Sequence, residues 1–414
     1  MAGIGEEGDE GEGDKGRTVL RIGVLTGGGD CAGLNAAIRA VVRGAQEHGH
    51  EVLGIPEGWA GVMRGETVPL SWEGVEEILA QGGTVLGTSR TNPMKSPEGP
   101  VEALKNIEKM RLDALIPIGG DDTLGVAARL SEMGLPCVGI PKTMDNDVWG
   151  TDYTIGFHSA ASVATDAVCR LKTTARSHRR VIALEVMGRE AGWVALHSGI
   201  AGGAHYTLIP EVPVSVDEVC DYLEERKRRG RQFTVLVVAE GVTLSGVSET
   251  SPDYMRDYMV EMSEEVSPRD CSTPQRHSGI GTRYRPERGR TRTDERSLVP
   301  TTARNVTVDE FGHVKLGGVS EVLSREVKER TGLDVKTNIL GYIQRGGSPT
   351  PFDRILASRM GLKAVDLVTR GRYGVMVALQ GDTIREVPIT EVLGRQRLVD
   401  RDLYESLKLL IKVL

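Results

Sequence analysis

Twice the chain runs from a short apolar stretch through a glycine-rich loop into a helix-patterned segment. RIGVLT, GGGDCAG and LNAAIRAVV follow one another over residues 21–42, and DALIPI, GGDDT and LGVAARLSEM over residues 113–133. Strands that read as unbroken apolar runs are covered on both faces, which requires parallel pairing with crossover helices. The same rhythm continues through LPCVGI, ending abruptly in PKTMDND at 141–147, and resumes with RVIALEVM, HYTLIP and FTVLVVAEG, separated by helical patterns. The spacing predicts an α/β protein with mainly parallel sheets in two lobes. VKTNILGYIQRGG reads as strand and loop, PFDRILASRMGLKAVDLVTRG as helix and GVMVALQGDTIREVPI as a strand pair.

Composition narrows the function classes. With 414 residues, 39% hydrophobic and 26% charged, the chain can bury two cores, and its net charge of −7 argues against a nucleic-acid partner. Cys31, Cys137, Cys169, Cys220 and Cys271 show no CxxC spacing, so we expect reduced thiols and no zinc site. Residues 1–17 are acidic and glycine-rich with no apolar leader, and no run is apolar for long enough to span a bilayer; a soluble, cytoplasmic protein is expected. The segment 272–305 is rich in arginine and poor in aliphatic residues, and it is expected to be a disordered, solvated insertion. Its charge also permits polyanion binding.

The loops carry the chemistry. Gly27, Gly28 and Gly29 allow close backbone approach, and the helix behind them offers free N–H groups to an anion. Gly27, Gly29 and Ala32 also fit the dinucleotide fingerprint loosely, with Glu51 as the acidic ribose ligand, the feature favouring a dehydrogenase. A plain tight turn fits this loop too. The second loop sets Asp121 and Asp122 where phosphates would be repelled, unless Mg²⁺ bridges carboxylate and phosphate oxygens. An N-cap role for one of them is the alternative. PKTMDND answers the need of phosphoryl transfer for a positioned base: Asp145 fits the base, Asp147 a second carboxylate and Thr143 a hydroxyl donor. Asx-turn chemistry alone also produces such a loop.

TGGGD, GTSR, GGDDT, PKTMDND, EVMGREAGW, AEG and LGYIQRGGSP, in this order over roughly residues 18–243 and 309–394, resemble the phosphofructokinase family. The resemblance implies two Rossmann-like lobes, a homodimer or homotetramer, and Mg²⁺-dependent phosphoryl transfer to the 1-hydroxyl of fructose 6-phosphate. It places the donor lobe at 18–156 and 344–394 and the sugar-phosphate lobe at 157–343 and 395–414. By position, Asp145 takes the hydroxyl proton with Thr143 and Asp147 beside it, and Asp121 is the magnesium residue. Gly29 and Arg90 meet the donor, while Met187, Gly188, Arg189 and Glu240 line the sugar. Arg345 holds the 6-phosphate, and Arg180 reaches a neighbouring subunit's site.

Asp122 and Lys142 occupy positions where ATP-using members typically carry glycine, and the pair resembles the pyrophosphate-dependent branch. A carboxylate there crowds the α-phosphate, and an ammonium suits the free end of a short polyphosphate. ATP-dependent transfer and a catalytically silent sugar-phosphate sensor are the competing readings. Tyr342 and Lys336 depart from the bacterial histidine and arginine but still donate hydrogen bonds to phosphate. Arg39, Arg43, Arg229 and Arg231 match basic positions of the bacterial effector site.

Overall fold

The computed structural model describes residues 19–247, 299–300, 311 and 317–414. The acidic tail and most of the arginine-rich segment lie outside the described residues. Within that segment Val299–Pro300 forms a short strand antiparallel to Thr243–Ser245, where no order was expected. The chain divides into two compact units, residues 1–142, 148–155 and 347–395 in the first and residues 143–147, 156–346 and 396–414 in the second.

In chain order the main strands are β1 (Arg21–Thr26), β2 (Glu51–Ile55), β3 (Val68–Pro69), β4 (Ala114–Gly119), β5 (Val138–Thr143), β6 (Val181–Val186), β7 (Tyr206–Leu208), β8 (Thr234–Ala239), β9 (Val335–Ile339), β10 (Val375–Gln380) and β11 (Thr383–Pro388). The helices that matter here are α1 (Leu34–Glu47), α2 (Asp121–Glu132), α3 (Phe157–His178), α4 (Trp193–Gly202), α5 (Val216–Arg228), α6 (Val319–Thr331) and α7 (Pro351–Thr369).

The first unit is built on the order β11-β10-β5-β4-β1-β2-β3. Its central pairs are parallel, and the outer pairs β10/β11 and β2/β3 are antiparallel. β4 is buried at every residue, as its unbroken apolar run requires. On one face α1 meets α7 so closely that a Cβ on Gly361 would stand 2.8 Å from Ala40 Cβ and 2.9 Å from the Ala37 carbonyl oxygen. Small residues permit that approach.

The second unit carries the all-parallel order β9-β6-β8-β7. Glu185, in β6, is 1% exposed, yet its carboxylate accepts from the Gly318 and Ser320 N–H groups at 2.7 and 2.9 Å and from Ser320 Oγ at 2.7 Å. It thereby caps α6, whose first turn would otherwise bury unpaired donors. This bond set fixes the helix against the strand that leads into the Met187–Arg189 loop. Replacing Glu185 with alanine should lower the urea midpoint by the equivalent of about 3 kcal/mol, since three donors lose a charged acceptor.

Candidate active site

In the first unit the loops after β1 and β4 and the end of β5 converge, as expected for carboxyl ends of strands in an open α/β sheet. Gly27 donates its N–H to the Ile118 carbonyl at 3.0 Å, tying the first loop to β4. A Cβ on Gly27 would stand 2.5 Å from Thr123 Oγ1, so the contact admits only glycine. Lys142 is 2% exposed, and its ammonium donates to the carbonyl oxygens of Gly27 (3.0 Å) and Gly29. Thr88 Oγ1 donates to the Gly28 carbonyl at 2.6 Å, and Gly28 N–H returns a bond to the Ser89 carbonyl at 3.0 Å. All three glycine carbonyls are thus held by protein donors. That arrangement turns carbonyl repulsion away from an approaching anion, and it fastens the segment carrying the exposed Arg90 to the glycine loop.

Asp121 and Asp122 open α2 after Gly120, the N-cap, which makes no side-chain cap bond. Both sit in the first turn, where the helix dipole favours negative charge, and both are half-buried. Neither is the N-cap itself. Among the described residues there is no cluster of three or more metal-ligating side chains. Mg²⁺ does not need one: it is held by one or two carboxylates plus phosphate oxygens, and this acidic pair fits that donor set.

In the second unit the loop Thr143–Asp147 buries its acids, with Asp145 5% and Asp147 3% exposed. Thr143 Oγ1 accepts from Asp145 N–H at 3.1 Å and donates to Asp145 Oδ2 at 3.3 Å. Asp145 Oδ1 is buried without a hydrogen-bond partner among the described residues. Asn146 adopts a left-handed φ of 58°, which makes the chain turn sharply between the two aspartates. Glu240, after β8, accepts the N–H groups of Gly188 (3.2 Å) and Arg189 (3.0 Å) on one oxygen. Arg189 is itself left-handed at φ 52°, a conformation that needs such external support. At Gly188, φ is 152° and a Cβ would stand 2.5 Å from the Ala191 carbonyl oxygen.

Burial pushes the Glu240 carboxyl up to about 7, with the Asp145 charge adding to the rise and the two N–H donors opposing it. Glu240 and Asp145 therefore feel one another, and the Met187–Arg189 loop joins them in one cluster. Tyr342 and Arg345 follow the same end of the sheet, because Leu340 N–H bonds to the Glu185 carbonyl at 3.0 Å near the end of β6. Arg345 is buried at 7% exposure, whereas Tyr342 is 70% exposed.

Arg180, expected to reach a neighbouring subunit's site, and Lys336 stand away from this cluster. Arg180 precedes β6, and Lys336 pairs in register with Ile182, so both stand at the opposite end of that strand. Six residues of strand span roughly 20 Å. Lys336 bonds Asp334 at 2.7 Å, and Lys336 and Arg180 both help hold the Asp334 carboxyl below its usual range. Glu51 does not stand where a ribose ligand would. It begins β2, at the wrong end of the sheet, and pairs with Arg21 at 2.8 Å. The guanidinium groups of Arg39 and Arg43 lie over the Trp72 ring at 4.5 and 5.5 Å, and Arg229 pairs with Glu225.

The raised Glu240 carboxyl has a direct stability consequence. Its folded-state value lies above that of an unfolded chain, so its contribution is fully present below about 4.5 and is lost as pH rises through about 7. Glu240→Gln should gain stability over the unmodified protein progressively between those pH values and hold a constant margin above them, as measured by urea melts at pH 5, 6, 7 and 8.

A family model described as phosphofructokinase matches residues 21–368. A relative from Dictyoglomus thermophilum named pyrophosphate–fructose 6-phosphate 1-phosphotransferase is 44% identical, covering 94% of this chain and 98% of its own. One from Corynebacterium efficiens named ATP-dependent 6-phosphofructokinase is 43% identical over 91% of this chain and 94% of its own. Among solved structures, phosphofructokinase from Pichia pastoris in the T-state superimposes with a TM-score of 0.69 at 29% identity; 94% of this chain is covered, but this chain spans only 39% of that one. The arrangement of glycine loops, acid pair and TMDND turn thus has a known lineage, and the chain belongs to the phosphofructokinase family.

Proposed function

We propose that this protein transfers a phosphoryl group from pyrophosphate to the 1-hydroxyl of fructose 6-phosphate, yielding fructose 1,6-bisphosphate and phosphate. The observation that carries the reading is the Asp145 carboxylate: buried, oriented through one oxygen by Thr143, and with its other oxygen lacking a hydrogen-bond partner among the described residues. Such an oxygen is an acceptor prepared for a substrate hydroxyl. Asp145 withdraws the hydroxyl proton as that oxygen bonds to phosphorus, and the bond from phosphorus to the bridging oxygen of pyrophosphate breaks, releasing phosphate. Because both directions exchange one phosphoryl bond for another, the proposed reaction is reversible and could serve both glycolysis and gluconeogenesis.

The first unit holds the donor. Gly29 and its neighbours bind phosphate through the backbone, Arg90 supplies an exposed positive charge, and Lys142 supplies a buried one under the glycine loop. Mg²⁺ would be held by Asp121 with Asp122 adjacent, neutralising donor phosphate charge when bound. Asp122 limits the donor to a short polyphosphate. The second unit holds the acceptor: Glu240, Met187, Gly188 and Arg189 meet the sugar, Arg345 and Tyr342 its phosphate, and Asp147 supports the base. Arg180 and Lys336, a strand length away in the same chain, serve the sugar phosphate of a neighbouring subunit in a homo-oligomer. The chain passes from one unit to the other at the Lys142–Thr143 peptide bond, so the donor lysine and the base loop are covalent neighbours.

The test is fructose 1,6-bisphosphate formation from fructose 6-phosphate and Mg²⁺ with pyrophosphate or ATP. We expect turnover with pyrophosphate; turnover with ATP alone would overturn the donor assignment, and silence with both would favour the sugar-phosphate sensor. Asp145→Ser should lower kcat by about 100- to 10,000-fold while the fold is kept, the scale expected for a lost general base. The double change of Asp122 and Lys142 to glycine should raise the ratio of ATP to pyrophosphate turnover. Total turnover should fall in that variant, because the carbonyls of Gly27 and Gly29 lose their donor.

A further inference from the structure

The loop that carries the base is held by a segment that the phosphotransfer reading leaves without a role. Arg397 donates its backbone N–H to the Asp147 carbonyl at 2.7 Å, and its guanidinium donates through Nη1 to the Asn146 carbonyl at 3.3 Å. The same guanidinium lies 4.0 Å from the centre of the Trp193 ring, and Trp193 Nε1–H donates to the Arg397 carbonyl at 2.8 Å. Two residues on, Val399 N–H bonds to Glu211 Oε1 at 2.8 Å, and Glu211 also accepts the Gly192 N–H at 2.9 and 3.1 Å. The segment 396–399 is therefore fastened at both ends to the start of α4. From that anchored position it grips the main chain of Asn146 and Asp147.

We infer that Arg397 is a positioning residue for the acceptor loop: locked against Trp193, it holds the left-handed Asn146 and so fixes where the Asp145 carboxylate points. The inference rests on the phosphotransfer reading for its kinetic consequence, though not for its structural one. A left-handed asparagine lies above the extended alternatives in energy, so removing the Arg397 bond to its carbonyl takes away part of what holds it and lets the loop relax toward them. A shift of about 1 Å in a reacting group costs up to about 100-fold in rate, so the effect belongs in kcat. Arginine suits the task because its planar group stacks on the indole while its edge still donates. Lysine cannot do both.

The experiment compares Arg397→Ala, Arg397→Lys and Trp193→Phe with the unmodified full chain, using turnover and amide hydrogen exchange. For Arg397→Ala we expect kcat about 10- to 100-fold lower, the scale of a misplaced reacting group, with an unchanged KM for pyrophosphate and partial recovery on adding guanidinium at about tens of millimolar. Arg397→Lys should fall between the two. Exchange in the peptide spanning 143–148 should quicken at least about 10-fold while that of β8 stays constant, the mark of local rather than global opening. Trp193→Phe, which keeps an aromatic face but loses the bond to the Arg397 carbonyl, should show the same pattern on a smaller scale, and it serves as the test should the alanine variant not fold.

Unchanged kcat and unchanged loop exchange would overturn the assignment. So would a general loss of protection in both peptides with no response to guanidinium, which would make Arg397 a merely structural residue. If the unmodified protein were silent with pyrophosphate, the functional reading would fail, yet loop exchange would still decide the role of Arg397.

Discussion

Burying a charged group costs several kcal/mol unless the protein replaces the water it loses, and residues 142–147 bury three: Lys142, Asp145 and Asp147. Much of the rest of the molecule reads as the answer to that cost. The ammonium of Lys142 is met by carbonyls of a loop that must be glycine to come near enough, since a side chain at Gly27 would collide with Thr123. Asp145 is met by its own neighbour Thr143, and the loop's main chain by a segment about 250 residues further on, as the Arg397 bond to Asn146 shows. Each solution ties one element to another, so the charged loop acts as a fastening point as well as a reactive one.

The second unit adds a finer balance. Glu240 holds the Met187–Arg189 turn through two N–H groups but sits in the field of Asp145 and out of water, which brings its proton affinity close to neutrality. A carboxyl poised there changes its charge near neutral pH. Asp145 retains an unengaged oxygen nearby in the same cluster. The left-handed Arg189 and Asn146 show where the backbone is held away from its easiest conformations, both at the loops assigned to the acceptor.

The similarity of this chain to relatives with both donor names, 44% and 43% identical, means that overall resemblance fixes the chemistry more firmly than the donor. Lys142 shows why the donor assignment is not a matter of direct contact alone: the residue proposed to meet the donor also shapes the glycine loop beside it.

Local order was legible because it is locally encoded. Unbroken apolar runs are covered best in a parallel sheet with crossover helices, and glycines before a helix start let the backbone offer free N–H groups to an anion. The sequence alone therefore determined the α/β class, the strands bearing PIGGDDT and PKTMDND, and the residues assigned to donor and acceptor. It did not determine which of those residues meet. Register put Lys336 opposite Ile182, and with it Arg180, at the far end of β6 from Arg189; pairing placed Glu51 beside Arg21 and not at a ligand. Nothing in QRLVD marks Arg397 as the partner of a loop far earlier in the chain, because its role comes from a contact with Trp193 and Asn146 that no spacing or period encodes. Chemistry-bearing residues were chosen by the local chain, and their distances were set by long-range packing, which only the folded structure specifies.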